Sequence, residues 1–90
     1  MEISFDPAKR EEALRERHLD FVDAAKVFAG HTYDWEDIRF DYGEVRNVTV
    51  GKLDGRMVVV VWTERGQGRR IISMRKANER EQEYYRKFLG

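Results

Sequence analysis

Seven arginines, Arg46, Arg56, Arg65, Arg69, Arg70, Arg75 and Arg80, are concentrated in and around the β-rich half of the chain. A guanidinium is planar, stays charged at physiological pH and donates paired hydrogen bonds, so a group of them on one surface suits phosphate. The same groups can stabilise the extra charge that develops on phosphorus when a ribose 2′-hydroxyl attacks the adjacent phosphate. Glu44 and Glu64 lie on or beside this stretch. Each can accept a proton or orient an arginine, and each fits equally an ion pair between neighbouring strands. Trp35, Trp62, Tyr84 and Tyr85 can stack on bases or fill a core, and Tyr84 or Tyr85 can act as a general acid or base.

Other chemistries leave no such trace. There is no P-loop, Gly-x-Ser-x-Gly elbow, dinucleotide fingerprint or His-Glu-x-x-His pair. The chain has no cysteine, and His18 and His31 lack ligand-like spacing, so neither a disulfide framework nor a structural zinc is expected. Both histidines fall in connections and read as surface residues. No cofactor and no metal is expected.

The elements that must position the arginines follow from pattern. Ile3 to Phe5 reads as a short edge strand. Asp6-Pro7 is a helix start, with a charged surface helix from Pro7 to Arg17 whose inward contacts are Leu14 and Ala13. Asp20 can cap a second helix, in which Phe21, Ala24, Ala25 and Phe28 form the apolar stripe and Gly30 is the stop. A short strand is expected near Tyr33 to Trp35. Strands follow over Glu44 to Gly51, Met57 to Trp62 and Arg69 to Arg75, joined by an Asp54-Gly55 hairpin turn and by Gly66-Gln67-Gly68.

The run Met57 to Trp62 is apolar at every position, as a strand covered on both faces requires. On the third strand of this meander, strict alternation puts Arg69, Ile71, Ser73 and Arg75 on one face and Arg70, Ile72 and Met74 on the other. Asn78 with Glu81 opens a last helix, which gathers Tyr84, Tyr85, Phe88 and Leu89 on one side. The fold class is therefore α+β: a single small domain over residues 1–90, with helices packed on one face of a mostly antiparallel sheet.

A chain of 90 residues has room for one modest core. Hydrophobic residues make up 41% and charged residues 38%, enough to fold beneath a densely charged surface. No segment approaches the length of a membrane span and the start is no signal peptide, which makes the cytoplasm the expected location. The net charge of zero conceals an asymmetry: residues 1–42 carry 6 Lys/Arg against 11 Asp/Glu, whereas residues 43–80 carry 9 against 4. Such a division fits one face for a phosphate chain and another for a protein, or a solvated, salt-bridged surface.

Read in order, these motifs resemble the BrnT family of bacterial toxins. Phe5, Asp6 and Lys9 resemble the family's aromatic-Asp-x-x-Lys opening, and Leu19 to Phe28 its Leu-Asp-Phe-x-x-Ala-x-x-Val-Phe helix. Gly43, Glu44 and Arg46, followed by Gly51, resemble its Gly-Glu-x-Arg. The most specific piece is Val61 to Ala77, VWTERGQGRRIISMRKA, similar to Thr-x-Arg-Gly followed by Arg-Ile-Ile-Ser-x-Arg-x-Ala, with Glu79 and Arg80 continuing it. Ala13 stands where many relatives have Asn, and Glu16-Arg17-His18 where they have Lys-His-Gly, so His18 is not an aligned substitute for their histidine.

The resemblance implies a RelE-like fold and a metal-independent endoribonuclease that cleaves cellular mRNA, inhibiting translation and growth. It implies neutralisation by a cognate BrnA-like antitoxin in a 2:2 complex, with operator DNA bound only through the antitoxin and no membrane partner. On that basis the catalytic candidates are Arg46, Glu64, Arg70, Arg75 and Arg80. The RNA-binding candidates are Arg46, Arg65, Arg69, Arg70 and Lys76, with Glu44 and Glu79 as orienting groups. A non-catalytic module of the same fold, binding RNA or only an acidic antitoxin, is the alternative. Steep salt dependence of RNA binding without cleavage would mark it.

Overall fold

Helix α1 (Pro7–Arg17) starts where the sequence places it: the Asp6 carboxylate accepts a 3.0 Å hydrogen bond from the Ala8 N–H, and Pro7 takes the first helical position. It ends at His18, whose left-handed backbone (φ 57°) lets its N–H reach the Ala13 and Leu14 carbonyls. The computed structural model describes all of residues 1–90. Ala13 is the buried contact of α1, whereas Leu14 is exposed, so the inward position is Ala13 rather than both.

Asp20 caps in the same way, accepting from the Val22 N–H, but what it caps is a 3-10 turn over Phe21–Asp23. Only then does α2 (Ala24–Ala29) begin. With three residues per turn at the start, the buried stripe becomes Phe21, Ala24 and Val27, and Ala25 is left exposed. The expected second helix exists, but its phase is shifted.

Strands β1 (Ile3–Phe5), β2 (Tyr33–Asp37), β3 (Arg46–Leu53), β4 (Arg56–Arg65) and β5 (Gly68–Lys76) form one sheet in the order β1-β5-β4-β3-β2. The β2–β3, β3–β4 and β4–β5 pairs are antiparallel and β1–β5 is parallel, giving a mixed sheet of the α+β class. Asp54 and Gly55 both have positive φ (51° and 81°), the two-residue turn that the Asp-Gly pair favours.

Each sheet face has its own core. On one, Phe21, Ala24 and Val27 pack with Ala13 against Val58, Val60, Trp62, Ile71 and Met74. On the other, helix α3 (Glu79–Leu89) lays Leu89 and Tyr85 with Ala77 against Val48, Val50 and Val59. The arrangement with helices on one face thus holds for α1 and α2 and is corrected for α3. The cause is the Val58 to Trp62 run, whose residues are apolar toward both sides and need covering on both.

β4 and β5 do not run in simple register. Trp62 pairs with Ile71 but Val61 pairs with Ser73, so β5 carries one extra residue, Ile72. This β-bulge resets the alternation: Ile71 and Met74 both belong to the α1/α2 core although an odd number of residues separates them. The expected faces of the third strand are accordingly corrected, and Arg70 and Arg75 share a face.

Gly68, which opens β5, is enclosed by β1: a Cβ there would lie 2.5 Å from the Glu2 carbonyl oxygen. Gly68→Ala should therefore displace β1, which is held beside it by the Arg69 N–H bond to the Glu2 carbonyl. The expected loss is about 1–3 kcal/mol, the range for overpacking a tight site. Thermal melting checks the loss, and hydrogen exchange should place it in residues 2–5.

Candidate functional site

Helix α3 covers only part of its sheet face. Its Tyr85 and Leu89 pack over the Val48, Val50 and Val59 end of that face, and toward the opposite end side chains form rows across the strands. In one row, Asp37 of β2 pairs with Arg46 of β3, Arg70 of β5 pairs with Thr63 of β4, and Ser4 of β1 lies beside Arg70. The Asn47–Trp62 pair sets the register that brings Arg46 alongside Thr63. Two arginines thus flank one threonine, about 10 Å apart across two strand spacings.

The two arginines are held differently. Arg46 has its guanidinium 4.2 Å from the centroid of the Tyr42 ring, and its Nε is 3.6 Å from Glu44. That Nε is buried and has no hydrogen-bond partner. Arg70 is half-buried and forms neither an ion pair nor a side-chain hydrogen bond within the chain. Glu44 is shared with Arg65, whose guanidinium lies 3.7 Å away. The Thr63 hydroxyl donates to the Val45 carbonyl at 2.7 Å and ties the loop before β3 to the sheet.

Arg75 lies two rows nearer α3, opposite Val59. Both ends of its guanidinium donate to Glu81, at 2.7 and 2.8 Å. Glu81 also accepts from the Asn78 N–H, completing the capping box that starts α3. The hydrogen bond from Arg75 holds the Glu81 carboxyl below the ordinary range, against the opposing effect of burial. Arg75 therefore fastens α3 to the sheet, with its charge already matched.

A cleft of about 380 Å³ lies between α3 and the segment after β2, lined by Trp35, Asp37, Arg39, Val61, Arg75 and Glu81 among others. Its far wall is a charged knot. The Asp37 carboxylate, almost fully buried, accepts two hydrogen bonds from the Arg39 side chain, one from the Arg39 N–H and one from the Tyr42 hydroxyl. Those bonds, Arg39 first, keep Asp37 far below the usual carboxylate range and push Arg39 up. Asp37 is thus a fixed anion and no proton acceptor. Tyr85 stacks on Trp35 at 5.3 Å, and burial pushes its hydroxyl up, away from any role as a base.

The remaining candidates are dispersed. Arg69 lies over Trp62 and Phe28, 3.9 and 4.4 Å from the ring centroids, on the α1/α2 face. Glu64 pairs with Arg69 and lines a separate cleft at the end of β3 and β4 with Glu44, Thr63 and Arg65. Lys76 faces a groove with Asp20 and Asp23 on the α1/α2 side. Glu79 and Arg80 are exposed in the first turn of α3. The structure brings Arg46, Glu44 and Arg65 together, with Glu64 lining the same cleft as Glu44 and Arg65; it sets Arg70 across Thr63 from Arg46 and Arg75 at the margin, and puts Arg69 and Lys76 on the α1/α2 side. Asp37, Arg39, Tyr42 and Thr63 were missed by sequence reasoning. The one signal for them is the acidic and aromatic stretch Tyr33 to Tyr42, which has no period to betray its fold.

No three His, Cys, Asp or Glu side chains come together as a metal-ligand set, and no helix is long and apolar enough to cross a membrane. Residues 5–81 match the family model described as the ribonuclease toxin, BrnT, of type II toxin-antitoxin systems. By class, this arginine-bearing α+β domain is a ribonuclease toxin with a protein antitoxin as its partner. Within that class, the chain belongs to the BrnT family. A search of curated proteins finds no match.

Proposed function

We propose that the protein is an endoribonuclease that cuts cellular mRNA in the cytoplasm and thereby stops translation and growth, its site being the open half-face around Arg46, Thr63 and Arg70. The observation that carries this reading is the bulge at Ile72, which turns Arg70 to the face that also presents Arg46. Two arginines on one open face, two strand spacings apart, suit phosphates of one extended strand.

At the scissile linkage the ribose 2′-oxygen forms a bond to phosphorus and the bond to the 5′-oxygen breaks. Asp37, in the row itself, is already claimed by Arg39 and Tyr42, so Glu44, 3.6 Å from Arg46, takes the 2′ proton; the departing 5′-oxygen acquires a proton from water at the open face. Arg70 and Arg46 carry the charge that builds on the phosphoryl oxygens, which supplies the compensation that a metal ion supplies in other nucleases. Arg65 extends phosphate contact at the margin, and Arg80 on α3 lies where the strand leaves the cleft. Arg75 acts by holding α3 in place.

A BrnA-like antitoxin in a 2:2 complex would neutralise the toxin by covering this face and would provide the contact to operator DNA. The test is cleavage of mRNA by the purified protein with and without EDTA. Products with 2′,3′-cyclic phosphate and 5′-hydroxyl ends, formed equally in both, are expected, as are growth arrest and new mRNA 5′ ends on induction without antitoxin. Intact RNA and unimpaired growth from a folded protein would favour the non-catalytic binding module instead.

A further inference from the structure

We infer that Tyr42 is a positioning residue that keeps Arg46 short of a hydrogen-bonded pair with Glu44, so that its guanidinium remains available to substrate phosphate. The inference rests on the reading of the open half-face as the RNA site. Tyr42 stands in the irregular segment between β2 and β3 and is half-buried there. Its hydroxyl donates to Asp37 at 2.9 Å, and Asp37 is itself held by three hydrogen bonds from Arg39. The ring is therefore anchored at its far end to an anion that stays charged throughout the physiological range.

On the face of that ring rests the Arg46 guanidinium, at 4.2 Å from the centroid. A cation over an aromatic face is attracted by the ring quadrupole, and the attraction leaves the in-plane N–H donors free. A carboxylate would instead occupy those donors. Glu44 is close enough to do so, at 3.6 Å from Nε, yet no hydrogen bond forms, and the buried Nε is left without a partner. An unpaired buried donor is costly. Here Glu44 meets the arginine only as a 3.6 Å ion pair, and the stack on Tyr42 keeps it short of the hydrogen-bonded pairing that Glu44 offers.

Removing the ring should let Arg46 fall onto Glu44 and withdraw from phosphate. This makes a specific expectation: Tyr42→Ala binds RNA less well because Glu44 captures Arg46, so Glu44→Gln in the same chain should restore much of the lost binding but not cleavage, for which Glu44 is the proton acceptor. Tyr42→Phe keeps the stack and loses only the tether, and should fall between Tyr42→Ala and the wild type.

The experiment measures binding of a 2′-O-methyl RNA oligonucleotide, which resists 2′-hydroxyl attack, over a range of salt concentrations, with cleavage of the unmodified RNA in parallel. Tyr42→Ala should weaken binding about tenfold and reduce the salt slope by about one ion, the signature of one lost phosphate contact. Cleavage should show a raised KM with kcat little changed. Recovery of binding in the Tyr42→Ala, Glu44→Gln protein beyond the gain that Glu44→Gln alone gives the wild type supports the inference, because loss of a carboxylate charge near phosphate would otherwise act equally in both backgrounds. Unchanged binding in folded Tyr42→Ala, or no recovery in the double variant, overturns it, and so does unchanged binding in Arg46→Ala. Normal oligonucleotide binding without cleavage by the wild type would instead remove the ribonuclease reading of the site, while the binding comparison still decides the role of Tyr42.

Discussion

Arg70→Ala is expected to lower RNA cleavage by roughly 100-fold or more, the usual cost of removing one preorganised donor to a developing oxyanion. Its melting temperature should stay close to that of the wild type. The combination follows from the surroundings of Arg70: the side chain is half-buried in the open row yet has no ion pair or side-chain hydrogen bond in the folded chain, so truncation strands no partner. Arg70→Lys should recover only part of the activity, since an ammonium keeps the charge but loses the paired geometry. Single-turnover cleavage beside thermal melting checks both halves. Full activity in folded Arg70→Ala would remove this residue from the site.

Glu81→Ala should lower stability markedly, because one carboxylate performs two tasks. It closes the capping box with the Asn78 N–H and takes both ends of Arg75. Losing the Glu81 half of the box, with the Asn78 side chain still capping the helix, costs up to about 1 kcal/mol. The ion pair is partly open to solvent, with 44% of the Arg75 side chain exposed, and its contribution is screened to about 1 kcal/mol. The sum, up to about 2 kcal/mol, corresponds to a fall in melting temperature of roughly 10 °C for a domain of this size.

Arg75→Ala should show about half that fall and lose cleavage only to the extent that α3 loosens, unlike Arg70→Ala. The pair also fixes the sign of a pH effect. Arg75 depresses the Glu81 value in the folded state, so the pair's stabilisation is complete above the unfolded carboxylate value of about 4.3 and is lost as the pH falls through the lower folded value. The difference in melting temperature between wild type and Arg75→Ala should narrow in that acid window. Asp20, depressed by its hydrogen bonds from Arg10, contributes with the same sign.

The helix starts at Asp6-Pro7 and Asn78, the Asp54-Gly55 turn and the doubly covered strand around Val60 were all legible in the chain. Each depends on chemistry within a few residues: a side chain capping its own helix, a positive φ that Gly accepts, an apolar run that water rejects. The capacity of the arginines to bind phosphate was legible for the same reason, since charge and hydrogen-bonding capacity belong to the residue type. The segment after Trp35 was not, because Asp37, Arg39 and Tyr42 are organised by one buried carboxylate rather than by a repeat.

Which arginines share a face was decided by tertiary structure. Period-two alternation separates Arg70 from Arg75, and only the extra residue at Ile72, seen against β4, returns them to one face. Likewise nothing in the neighbourhood of Arg69 or Arg75 tells that the first is spent on Trp62 and Phe28 and the second on Glu81. The sequence by itself determined the elements, the apolar core and the guanidinium chemistry, because those follow from local geometry and solvation. The register between strands and the partner that claims each charge depend on residues distant in the chain, and the folded sheet alone brings them within reach.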